Sequence, residues 1–255
     1  MDVHVQGAAA PDPFLSAADL FETEHELSLP VVVQVREDPD ERTWAGHYPN
    51  RHVLNISRQA ATSAMARELA LHEFSHMARY EEAHASHTQS TDEALFLAFS
   101  GRSVERRKLA HCYQIANHMK DIYADDITLS VAPADKLLAF LESRLAAAVA
   151  DRPTARPDDW TRLTAGSDPD ITAVNAAFAL ALVERHGLVD DDHRLYDLAH
   201  AAADDAPGVD FERFNCRFKS LAADPTESDY RKELVGVARD YVLAPGSGSG
   251  QQAAD

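Results

Sequence analysis

"LHEFSHMARY", Leu71–Tyr80, places two histidines four residues apart with a glutamate directly after the first. On an α-helix, residues i and i+4 lie one above the other, so His72 and His76 can offer two imidazole nitrogens to one ion. Glu73 projects about 100° round the helix from His72, to the side of that ion. The chain holds 13 His and 16 Glu, so this His-Glu-x-x-His pattern is expected by chance only about 0.04 times. The surrounding texture is helical. "SRQAATSAMARELALHEFSHMARYEE" is rich in Ala, Leu, Met, Arg and Glu and predicts one helix opening at Ser57 as N-cap.

Upstream, the residues predict a small antiparallel sheet. "PVVVQV" (Pro30–Val35) is short and β-branched, and "TWAGHY" and "RHVLNIS" flank Pro49-Asn50, a turn between two antiparallel strands. Downstream, "AHASHTQST" reads as a polar loop, with Thr91 as the cap of the helix that follows. Helical stretches are then expected from about 104 to 129, after Pro133, and at about 171–186, 192–204, 210–221 and 227–242. The Pro- and Asp-rich "DRPTARPDD" is the best linker, and "GSGSGQQAAD" is flexible by composition. The expected fold is therefore α+β and mainly helical, with a metal-binding domain over 1–150, a helical region over 151–243 and a tail over 244–255.

Composition narrows the setting. Forty-two acidic residues face 24 basic ones for a net charge of -18, and only residues 108, 120, 136, 219 and 232 are lysine. Such a balance suits multimolar salt, which screens the self-repulsion. It also argues against nucleic acid or anionic membranes as partners, since no basic stripe exists. Cys112 and Cys216 are too few for a disulfide framework and read as reduced and buried. No signal peptide or run of about eighteen apolar residues is visible, so a cytoplasmic setting is expected.

The motif, and the strand "RHVLNIS" arriving just before it, resemble the zincin superfamily of HExxH metallopeptidases, and the hairpin followed by the motif helix looks like its small members, the minigluzincins. The stretch from "TWAGHY" to "DIYADDITLSV" also resembles an uncharacterised haloarchaeal family of zincin-like proteins, for which no substrate is implied. The zincin resemblance implies Zn2+ on His72 and His76, Glu73 as general base, and an extended peptide lying along the strand near Val53, Leu54, Asn55 and Ile56. The pattern of a metzincin fails, because Arg79 and Glu82 stand where its glycine and third histidine belong. A thermolysin-like site would take a glutamate on a following helix; Glu93, seventeen residues after His76, is that alternative. In "NHMKDIYADD", Asn117, Asp121 and Asp125 recur every four residues. That rhythm is similar to zincin-like families in which an aspartate completes the site and a polar residue one turn later orients a ligand histidine. Asp121 is thus the preferred third ligand, with Asp125 and Asn117 as supports. His118, Tyr123 and Tyr80 compete as oxyanion donors, while His84 and His87 read as solvated loop residues. The expectation is a zinc-dependent hydrolase acting on a peptide or protein. The rival is a non-catalytic zincin-fold interaction protein, with or without zinc.

Overall fold

The computed structural model describes residues 1–151 and 168–243. The expected linker, apart from Asp151, and the expected tail lie outside the described residues. The chain forms two compact units, Met1–Gln89 with Lys120–Leu137, and Ser90–Met119 with the described part of Leu138–Asp255. They interleave along the sequence, where texture alone suggests a single cut near residue 150.

In the first unit, β1 (Val3–Gln6), α1 (Asp12–Phe21), β2 (Val31–Arg36), β3 (Trp44–Tyr48) and β4 (Arg51–Ser57) build a four-stranded sheet of order β1-β2-β4-β3 beside one crossover helix. The β3–β4 hairpin is antiparallel, as Pro49-Asn50 predicts. The rest is a correction to the expected antiparallel sheet, because β1 pairs with β2, and β2 with β4, in parallel. A parallel pair needs a crossover, and α1 supplies it between β1 and β2. Neither β1 nor α1 is anticipated by the sequence reading.

Alternation on β2 turns Val31, Val33 and Val35 inward, where they meet Leu54 and Ile56 of β4 and the buried Phe14 and Phe21 of α1. Into the same core go Leu71, Phe74 and Met77 of α3 (Ala66–Glu81), with Phe74 edge-on to Phe21 at 6.2 Å. Full burial of each such side chain contributes about 1.5–3 kcal/mol. The expected single helix from Ser57 is broken. Ser57 does act as a cap, its Oγ accepting from the Ala60 N–H at 3.1 Å, but only for the four-residue α2 (Arg58–Ala61). Thr62 and Ser63 then donate their hydroxyls to the carbonyls of Arg58 and Ala60 at 2.9 and 2.8 Å. Such local bonds compete with a helical ladder, and α3 starts afresh at Ala66. The polar loop contains a short turn of helix, α4 (Ala85–Thr88).

The second unit is helical. It contains α5 (Thr91–Phe99), the first half of α6 (Arg106–Val131), most of α7 (Asp135–Ala150), α8 (Pro169–His186), α9 (Arg194–Asp204), α10 (Phe211–Lys219) and α11 (Glu227–Leu243). Ser90, not Thr91, caps α5. Nearly every residue of α8 from Ile171 to Val183 is buried, with α9 and α10 packed against it. Asp168 caps α8 and is clamped by Arg107, and Gly187 ends it in the left-handed conformation at φ 59°. Both cysteines are free thiols; Cys112 is buried as expected, but Cys216 is exposed on α10, a correction. Among the described residues no helix is long and apolar enough to cross a membrane.

Candidate metal centre

Helix α3 has two working faces. Leu71, Phe74, Met77 and Ala78 are committed to the core, which leaves His72, His76 and Tyr80 in a stripe along the other side. The second half of α6 is fastened beside that stripe. Ser75 Oγ lies 2.9 Å from Thr128 Oγ1, and Arg79 Nε donates to the Tyr123 carbonyl at 3.0 Å. Arg79, in the position that excludes a metzincin, thus braces the two helices.

The result is a cluster of three donor atoms. His72 Nε2 and His76 Nε2 are 3.0 Å apart, and Asp121 Oδ1 is 3.8 Å from the first and 3.3 Å from the second. Zinc takes nitrogen and oxygen donors at about 2.0–2.2 Å, and tetrahedral donors at that radius stand about 3.3–3.6 Å from one another. The residues present therefore fit the ion. Among the described residues this is the one group of three His, Cys, Asp or Glu side chains so arranged. Three protein donors also leave a fourth position for water.

Each imidazole is held by its outer nitrogen. His72 Nδ1 lies 2.7 Å from Asp125 Oδ1, the contact expected of Asp125. His76 Nδ1 lies 2.8 Å from Nε2 of His87, which is therefore no solvated loop residue. Burial, the largest cause, lowers the His87 pKa to about 2. Burial alone would also lower the pKa of His72, but Asp125 first, then Asp121 and Glu73, reverse this and raise it to about 10.

Glu73 is 7 % exposed, and the backbone N–H of Ala45 on β3 is among the groups that favour its carboxylate form. Burial pushes its carboxyl above the usual range, against the pull of His76 and His72. The β3 strand is consequently the one that borders the site, and among the described residues it is an edge strand paired only with β4. This corrects the substrate strand expected at Val53, Leu54, Asn55 and Ile56. All four lie on β4, whose backbone is paired to β2 on one side and β3 on the other and has nothing left to offer a peptide.

The remaining candidates have surroundings of their own. Tyr123 follows Asp121 by two residues, about 200° round the helix, and is fully buried with its ring 4.6 Å from that of His84, so it does not face the donors. His118 belongs to the second unit, where it stacks on Phe178 at 4.3 Å and its Nε2 lies 2.8 Å from Asn175 Oδ1. Asn117 and Glu93 are exposed residues of that same unit. The outer nitrogens that Asn117 was expected to support go to Asp125 and His87. Tyr80 lies flat on His47 at 4.0 Å, and His47 is in turn 3.0 Å from the buried His52, whose Nε2 reaches Glu81 at 3.0 Å.

Sequence reasoning missed His87 and Ala45. His87 sits eleven residues beyond His76 in a turn without period, and Ala45 acts through its backbone, so no pattern of side chains points to either. Searches of curated proteins and of solved structures give no match to this chain. A family model does match, over residues 1–243, and the chain belongs to that family, DUF5781, a family of unknown function.

Proposed function

We propose that this chain is a zinc-dependent hydrolase of the HExxH type that cleaves peptide bonds. The observation that carries this reading is the approach of His72 Nε2, His76 Nε2 and Asp121 Oδ1 to within 3.8 Å of one another, beside a buried Glu73. A zinc bound there would supply a water whose pKa falls toward about 7 and would polarise a carbonyl. Asp125 and His87 hold the two imidazoles in place. Glu73, next to His72 and with its carboxyl pKa raised by burial, accepts a proton at a carboxylate oxygen and returns it to the leaving nitrogen. The free edge of β3 between Trp44 and Tyr48 offers backbone groups to an extended peptide, the way strands add to an exposed sheet edge. The acidic, lysine-poor surface and the two free thiols favour a cytoplasm of high salt.

Metal analysis of protein purified in molar KCl, joined to a peptide-cleavage assay, tests the reading. Glu73→Gln should keep one zinc and lose cleavage. A wild-type protein that takes up no zinc would refute the metal centre. A protein that binds zinc yet cleaves nothing would instead be a zincin-like interaction protein.

A further inference from the structure

The outer nitrogens of the two histidines are held by different chemistry. Asp125, beside His72, is a carboxylate; His87, beside His76, is an imidazole that can either donate or accept at Nε2. The choice matters, because His76 has a lone pair at Nε2 for a metal only if its proton sits on Nδ1. The hydrogen bonds beyond His87 decide it. His87 Nδ1 is 2.8 Å from Ser86 Oγ, and Ser86 Oγ is 2.7 Å from His84 Nδ1. The backbone N–H of Ser86 donates to the same His84 nitrogen at 3.3 Å, which makes His84 the N-cap of α4.

A backbone amide can only donate, so His84 Nδ1 must carry a lone pair. The Ser86 hydroxyl then gives its proton to His84 and accepts at oxygen from His87 Nδ1–H. His87, whose ring nitrogens meet Ser86 Oγ and His76 Nδ1 and no carboxylate, is left bare at Nε2, where it accepts from His76 Nδ1–H. Nε2 of His76 is thereby bare and turned toward His72 and Asp121. We propose that the N-cap of α4 sets the tautomer of His76, with His84, Ser86 and His87 acting as positioning residues that preset it as a metal donor. The claim about affinity rests on the metal-centre reading above; the claim about the tautomer does not.

Two measurements on the full chain in molar KCl test it. In metal-free protein with 15N-labelled histidine, two-bond proton–nitrogen spectra should show His76 and His87 protonated at Nδ1 and bare at Nε2, and Ser86→Ala should mix both tautomers. A His76 protonated at Nε2 and bare at Nδ1 would overturn the proposal. In zinc titrations, His87→Ala should weaken binding about 10- to 100-fold, the usual effect of losing such a partner. His87→Gln, whose amide oxygen can accept from His76, should recover most of that, while Ser86→Ala should weaken binding without touching His76 at all. Wild-type affinity in His87→Ala, with thermal unfolding unchanged, would equally overturn it. If the wild type binds no zinc, the metal reading falls, and the spectra still decide the relay.

Discussion

His72 Nε2 and His76 Nε2 lie 3.0 Å apart, so one of them donates to the other. With His76 bare at that nitrogen, the donor is His72, which also donates from Nδ1 to Asp125. His72 is then an imidazolium, in keeping with a pKa raised from 6.5 to about 10. A metal must displace this proton. Zinc affinity should therefore rise about tenfold per pH unit below about pH 10 from this group, with one proton released per zinc. Calorimetry in buffers of different ionisation enthalpy reads that proton directly, and a pH-independent affinity with no release would contradict the assignment. The same shift stabilises the metal-free protein fully below about 6.5, and this contribution is lost as pH rises through about 10. Single substitutions separate the third ligand from its alternative. Asp121→Ala should lose zinc as severely as His76→Ala, Asp125→Ala should lose about 10- to 100-fold, and Glu93→Ala should bind normally. Zinc lost in Glu93→Ala but kept in Asp121→Ala would reverse the choice. The thiols give an independent check: burial raises the Cys112 pKa to about 12, whereas Cys216 is exposed. A thiol reagent at neutral pH should find one reactive cysteine in the native protein and two in denaturant.

Gly46 makes room on β3 for two aromatic side chains. A Cβ there would come within 3.0 Å of Trp44 Cζ3 and 3.3 Å of Tyr48 Cε2, two half-exposed rings that fold toward each other over the glycine. Gly46→Val should push these rings apart and disturb the side chains along the edge, at little cost to stability because both rings are half-exposed. Because the donors sit on α3 and α6, zinc binding should survive while cleavage of extended peptides falls. Loss of both together would mean that β3 supports the metal and not the substrate. Elements of this kind differ in how far the sequence discloses them. The α3 helix and the β3–β4 hairpin are legible, since an i/i+4 pair and a Pro49-Asn50 turn are local signals. So is the Asp121–Asp125 face of α6, because four-residue recurrence survives in any helix. The parallel pairing is not legible: which strands adjoin depends on where α1 returns the chain, and although β1 alternates and α1 buries Phe14, Ala17, Ala18 and Phe21 at helical spacing, no such local pattern names a partner strand. The interruption at Thr62 and Ser63 is likewise decided by side-chain bonds that helix propensity does not count. Expecting a free edge at β4 follows from the same gap, because without β2 in parallel beside it that strand looks like an edge.

Over the whole molecule, charge sets the conditions in which the fold survives. An excess of eighteen negative charges on 255 residues means that cations are too few to give each of the 42 carboxylates a partner of its own. Ion pairs do form, such as Arg217 with Glu233 and Asp240, and Lys136 with Glu68. Exposed pairs of this kind contribute only about 0–1 kcal/mol each and weaken as salt rises. Repulsion among the unpaired carboxylates weakens too, since the screening length falls from about 10 Å at 0.1 M to about 3 Å at 1 M. The two effects oppose each other, and the count decides between them: 42 acidic groups against 24 basic ones make repulsive neighbours more numerous than attractive ones. Hydrophobic burial, which screening leaves intact, then dominates at high salt. The melting temperature should accordingly climb from dilute buffer to multimolar KCl. Because His72 and Asp125 are held close together and largely out of solvent, their contact should resist that screening better than surface pairs do. A series of thermal scans at fixed pH across KCl concentrations measures the balance, and a melting temperature that stays flat or falls would mean that the attractive pairs outweigh the excess charge.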